Sequence, residues 1–240
     1  MFKTIIVGVD GREGGRDALA LAASLQREFA SELIAVHAFR LEHYLGRGAD
    51  GEYEQVIQDR ARKLARDEVE RSGVAARPFV VADGSPGRAL HYAAASHDGD
   101  LIVVGSAHRG RVGRVLAGDV TAGTLHGAPC PVLVAPRGHS ASARELRTIG
   151  VGFDGSRESS AALELAHGIA KAVGARLRII DVVIAPDADG PFTTYRPDGA
   201  EHAHALREEA EDRLATVLGE LGDIATGVAP FGDPAGELTG

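Results

Sequence analysis

One short stretch of this sequence occurs twice. Residues 4–11 read Thr-Ile-Ile-Val-Gly-Val-Asp-Gly, and residues 148–155, 144 positions later, read Thr-Ile-Gly-Val-Gly-Phe-Asp-Gly. A Gly-x-Pro turn at 84–86 also recurs at nearly the same distance, at 232–234. A similarity that keeps one period along a chain indicates an internal duplication. We therefore predict two copies of one domain, the second shorter because its fourth strand would fall beyond Gly240.

Short apolar runs alternate with segments of helical periodicity within the first copy. Strands alternating with helices form a parallel sheet that is covered on both faces. We predict an α/β fold, a doubly wound five-stranded parallel sheet with helices on both faces, duplicated in tandem with the second copy incomplete. The predicted bounds are 1–138 for the first domain, 139–146 for a linker and 147–240 for the partial second domain. The predicted strands of the first copy are 5–9, 32–38, 77–82, 101–104 and 131–135.

Charge and cysteine content exclude several classes of function. The formal net charge of −8 disfavours nucleic acids and anionic membrane surfaces as partners. The single cysteine, Cys130, cannot form an internal disulfide or a multi-cysteine metal site.

No apolar run reaches the length of about 18 residues that a membrane-spanning helix needs, and the chain starts on a strand pattern instead of a signal peptide. We expect a cytoplasmic protein.

Residues 104–121 form a glycine-rich segment that follows the fourth predicted strand and leads into a helix. Glycine lets the backbone approach a ligand closely, and backbone amides at the start of a helix favour phosphate. In an open parallel sheet, ligands bind beyond the carboxyl ends of the strands. The segment is therefore a candidate phosphate-binding loop.

Four features together resemble the universal stress protein family. They are the strand-Asp-Gly start, the Gly-x-Pro turn, the Val-Val-Gly-Ser loop and the Cys-Pro-Val-Leu-Val final strand. The resemblance covers residues 1–138 fully and residues 147–240 in part. It implies a stress-associated regulatory protein that binds an adenine nucleotide, ATP with or without Mg²⁺, and is not an enzyme. It also implies self-association through the final strand, residues 131–135.

The resemblance also implies which residues contact the nucleotide. Gly105 and Gly118 match the first and last glycines of the family's ATP-binding loop, but His108 replaces the middle glycine and Asp119 replaces the hydroxyl residue. The implied nucleotide-binding residues are Val9, Asp10, Gly11, Ala38, Gly105, Ser106, His108, Arg109, Gly110, Gly118, Asp119, Val120 and Thr121.

Asp119 leaves three functions open. Its carboxylate accepts hydrogen bonds but does not donate them, would repel phosphate, and is a residue type that caps helices. The side chains of His108, Arg109, Arg111 and Arg114 can offset this repulsion. The first function is an ATP-binding regulator, the second is a family member that acts by dimerisation or protein contacts without nucleotide, and the third is a weak ATP hydrolase.

Two further residues have open or unremarkable interpretations. Asp10 either faces the nucleotide or caps the following helix, and the sequence does not separate these roles. His37, on the second predicted strand, is interpreted as a packed or edge histidine.

Overall fold

The structure is a computed structural model that describes residues 1–41, 50–106, 118–142, 146–184 and 199–239. The chain divides into two compact units, Met1–Arg144 and Glu145–Gly240. Each unit is an α/β domain, so the prediction of this fold in tandem is confirmed. No helix in the described part of the chain is long and apolar enough to cross a membrane.

The first unit contains five strands that alternate with helices. Its sheet is parallel throughout and has the strand order β3-β2-β1-β4-β5. The elements are β1 Thr4–Gly8, α1 Glu13–Phe29, β2 Glu32–Phe39, α2 Asp50–Ser72, β3 Ala76–Ala82, α3 Pro86–Ser96, β4 Leu101–Gly105, α4 Asp119–Leu125, β5 Val132–Ala135 and α5 His139–Ser142.

The strand order of the first unit places a crevice at the end of β1. This strand pairs with β2 on one side and with β4 on the other, so the chain reverses its direction of growth across the sheet at this point. Ile6 lies between Ile34 and Ile102 in the register, and all three are fully buried. The apolar runs thus hold the three central strands together, and their carboxyl ends flank the crevice where doubly wound sheets bind ligands.

The segment predicted as a linker begins with a short helix, α5. The buried carboxylate of Asp17 on α1 accepts hydrogen bonds from the Gly138 and Ser140 amides, each 2.8 Å long, and from the Ser140 hydroxyl at 2.6 Å. These bonds satisfy the exposed amides at the start of the helix. Helix α5 therefore belongs to the first unit.

The second unit repeats the first half of this architecture. Its described strands form a parallel sheet in the order β6-β7-β8, which matches β1-β2-β3. Its small core includes Val151, Leu177 and Ile179. The elements are β6 Thr148–Gly152, α6 Arg157–Val173, β7 Arg176–Ile180, α7 Gly199–Leu221, a 3₁₀ turn at Gly222–Ile224, β8 Ala225–Val228 and α8 Pro234–Thr239.

Candidate functional site

A cavity of about 310 Å³ lies in the first unit at the carboxyl ends of β1, β2 and β4. This volume is at the lower end of the range for small-molecule sites. Most of the described residues that the sequence predicts for the nucleotide line the cavity together. They are Val9, Asp10, Ala38, Gly105, Ser106, Gly118, Asp119, Val120 and Thr121.

Three of the predicted residues lie outside the described part of the chain, and one lies elsewhere in the first unit. His108, Arg109 and Gly110 fall between the described residues 106 and 118. Gly11 does not line the cavity. It has a φ of +77° in the turn between β1 and α1, and a side chain added to it would point toward Leu64 of α2. Gly11 is needed for the shape of the turn, because a residue with a side chain is strained at this φ.

The β1–α1 turn brings Asp10 to the cavity. Its Oδ1 accepts a hydrogen bond of 3.0 Å from the Arg12 amide, and the residue also lines the cavity. A Cβ at position 15 would lie 2.9 Å from this Oδ1. Asp10 therefore orders the turn before α1 and lines the cavity, but it does not occupy the cap position of the helix, which is held by Arg12.

The end of β4 packs directly on the start of α1. A Cβ at Gly105 would lie 2.2 Å from the Gly14 carbonyl oxygen and 2.4 Å from its carbonyl carbon. The buried Thr121 donates its hydroxyl to the Gly105 carbonyl at 3.1 Å. Gly105 is thus required for the close packing of β4 on α1, because a side chain at this position would overlap the Gly14 backbone.

Asp119 does not cap α4. Gly118 occupies the N-cap position, with no side-chain cap hydrogen bond, and Asp119 is the first helical residue. Asp119 is exposed and lines the cavity. Its negative charge therefore faces any ligand that enters, and the N-cap residue, a glycine, has no side chain with which to cap the first amides of α4.

The remaining lining residues include several apolar side chains and the side chains of His37 and Arg12. The Nδ1 of His37 lies 2.9 Å from the Val9 carbonyl oxygen. Because a carbonyl only accepts, Nδ1 is the donor in this hydrogen bond. Sequence reasoning treated His37 as a packed or edge histidine and did not single out Arg12 as a ligand. The apolar walls include Val36, Leu90 and Val104.

Comparison with known proteins agrees with this architecture. The family model described as the universal stress protein family matches residues 1–136 and 145–239. The chain belongs to the universal stress protein family. Each of the two matches corresponds to one of the two compact units, which supports the tandem arrangement.

Individual universal stress proteins match one or both copies. One from Thermus aquaticus is 32% identical over 135 residues, which are 56% of this chain and 98% of that protein. One from Mycobacterium tuberculosis H37Rv is 27% identical over 217 residues, 86% of this chain and 72% of that protein. The crystal structure of one from Archaeoglobus fulgidus DSM 4304 covers 98% of this chain and 80% of its own, with a TM-score of 0.66 at 20% identity, which shows a shared fold.

The second universal stress protein copy keeps the turn but changes the groups around it. Asp154, the counterpart of Asp10, accepts a hydrogen bond of 2.9 Å from the Ser156 amide. Hydrogen bonds from the side chain and backbone of Ser156 and from the side chain of Ser159 lower the pKa of Asp154 to about 2. The carboxylate is therefore charged throughout the neutral range, as it must be to hold the turn.

An ion pair replaces the histidine in this second copy. The strand registers place Asp181 at the position of His37. Asp181 is 2% exposed, and its Oδ2 lies 3.0 Å from Nη2 of Arg213. A Cβ added at Gly11 would lie 3.6 Å from Leu64 Cδ1, and one added at the matching Gly155 would lie 3.1 Å from Arg213 Cδ. The pair His37 and Leu64 has thus become Asp181 and Arg213.

Proposed function

We propose that the first unit binds an adenine nucleotide, ATP, as a regulatory ligand and does not turn it over. The observation that carries this proposal is the peptide group of Ala38, at the edge of the cavity. The Val36 carbonyl accepts a hydrogen bond of 2.9 Å from the Val9 amide, so the peptide groups of Val36 point toward β1. Two residues further along a strand, the peptide groups point the same way again.

Ala38 therefore directs one donor and one acceptor to the β1 side at a level where β1 has ended at Gly8. An adenine ring offers a matching edge, since its N1 accepts and its 6-amino group donates. The apolar side chains of Val36, Leu90 and Val104, which belong to one core cluster, give such a ring an apolar surface to pack against. Guanine has an N–H at N1 and a carbonyl at C6. Its donor would therefore face the Ala38 amide and its acceptor the Ala38 carbonyl, and neither hydrogen bond could form.

The other end of the cavity suits phosphate in part. Ser106 carries a hydroxyl there, and the backbone of Gly105 and Gly118 lines the cavity beside it. Asp119 opposes this, because a carboxylate about 4 Å from a phosphate charge costs roughly 1–4 kcal/mol at effective dielectric constants between water and a protein surface. We expect ATP affinity to be limited by this end of the site.

Titration of the purified chain with labelled ATP, with and without Mg²⁺, tests the proposal. We expect saturable binding to one site, with GTP a poorer competitor than ATP because of its base. Absence of saturable binding up to millimolar ATP would contradict a nucleotide-binding role. Release of phosphate over many turnovers would instead favour the weak hydrolase.

A second candidate function is self-association through β5. This strand is at the edge of the five-stranded sheet, and Val132, Leu133 and Val134 are only half buried. An apolar edge strand is a surface that pairs readily with another strand. We expect light scattering to give twice the mass of one chain, and a mass of 25.0 kDa at all concentrations would contradict this function.

A further inference from the structure

The first helix of the chain begins with an unusual residue. Arg12 occupies the N-cap position of α1 and makes no side-chain cap hydrogen bond. Small polar residues are preferred at the N-cap, and a cation there is unfavourable because it lies at the positive end of the helix dipole. At the matching position of the second copy, Ser156 accepts a hydrogen bond of 3.1 Å from the Ser159 amide. The first copy therefore lacks a stabilising cap that the same fold accommodates elsewhere in this chain.

The guanidinium of Arg12 is available to a ligand. Arg12 is exposed and lines the cavity. Among the residues that the structure describes, its side chain makes no hydrogen bond or ion pair. Nearby arginines differ, because Arg16 donates to the Gly11 carbonyl and Arg88 is paired with Asp83.

The other charged residues in the described part of the cavity lining are carboxylates, which makes the positive charge of Arg12 important for an anionic ligand. Asp10 and Asp119 both line the cavity, so an anionic ligand meets two carboxylates. Arg12 is the one arginine or lysine in this lining, within the described ranges. A guanidinium matches the geometry of phosphate oxygens and stays charged at any physiological pH.

We propose that Arg12 binds the phosphate group of the nucleotide and offsets the repulsion from Asp119. This inference rests on the proposed function and deepens it, because it names the side chain that recognises the anionic part of the ligand. The position then carries a residue that recognises the ligand in place of one that caps the helix, and functional sites commonly break local folding preferences in this way.

The substitution Arg12→Ser tests this inference by giving the first copy the residue of the second. A hydroxyl at position 12 can accept from the Gly15 amide and cap α1, so we expect the midpoint of thermal unfolding to rise by about 2–4 °C. We expect ATP affinity to fall about tenfold or more, since a charge-assisted hydrogen bond is lost. Adenosine, which has no phosphate, should bind within twofold of the wild-type affinity.

Arg27→Gln is the matched control, because it removes a positive charge from the last turn of the same helix, far from the cavity. We expect its ATP affinity to stay within twofold of wild type. Unchanged ATP affinity in Arg12→Ser, or an equal loss for ATP and adenosine, would overturn the role of Arg12 while leaving nucleotide binding intact. No binding of ATP or adenosine by the wild-type chain would overturn the proposed function and this inference together.

Discussion

Replacing Gly105 by alanine is expected to destabilise the first unit by about 3 kcal/mol, the upper part of the range for an overpacked site. The added Cβ would lie 2.2 Å from the Gly14 oxygen, and this neighbour is backbone, which cannot rotate away. The start of α1 would have to move relative to β4. Since Gly14 and Gly105 both line the cavity, we also expect ATP affinity to fall.

Gly123→Ala is the control for the Gly105 substitution. Gly123 lies within α4, and a Cβ there meets no atom within 4 Å. Alanine in a helix is favoured over glycine by up to about 1 kcal/mol, so this variant should be as stable as wild type or more stable. Hydrogen exchange of first-unit peptides, followed at increasing urea concentrations, gives the free energy of unfolding of the first unit in both variants. Equal protection in Gly105→Ala and wild type would show that the predicted backbone clash is wrong.

Replacing Arg213 by leucine is expected to destabilise the second unit by about 3–5 kcal/mol. Asp181 is buried, and its Oδ2 accepts from Nε of Arg213 at 3.1 Å as well as from Nη2. The substitution leaves a buried carboxylate without its cation. Leucine itself suits the position, since Leu64 is its counterpart in the first copy.

A double variant separates loss of the ion pair from loss of packing. Asp181→His in the Arg213→Leu background restores the combination of His37 and Leu64 that the first copy uses. We expect this second change to recover more than half of the lost stability, measured by hydrogen exchange of second-unit peptides. An Arg213→Leu chain with wild-type stability, or a double variant less stable than the single one, would contradict a stabilising ion pair.

Much of the fold could be predicted from the sequence because its signals are local and repeated. Buried parallel strands such as residues 5–9 are continuous apolar runs, and the recurrence at 148–155 identifies the duplication without any structure. The parallel sheet with helices on both faces followed from the alternation of strand and helix patterns. These predictions depend on residue type and spacing alone, which explains why the structure confirms them.

The details of the site depend on which residues face the cavity, and residue type alone does not reveal this. Gly11 and Asp10 are adjacent, yet only Asp10 lines the cavity, because Gly11 turns toward Leu64. His37 was interpreted as a packed or edge histidine, and in the structure it lines the cavity while its Nδ1 bonds the Val9 carbonyl. For Arg12 the sequence contains one indication of a role in the site, because an arginine stands where the second copy has a capping serine, Ser156.

The central claim, that ATP occupies the cavity beside Ala38, is tested most directly by filling that cavity. Ala38 lines it and is half buried, so Ala38→Phe would place an aromatic ring where the adenine is proposed to bind. In isothermal titration calorimetry we expect one ATP per wild-type chain and no measurable binding to Ala38→Phe, with both proteins folded by thermal unfolding. ATP binding of wild-type affinity in the Ala38→Phe chain would contradict the account.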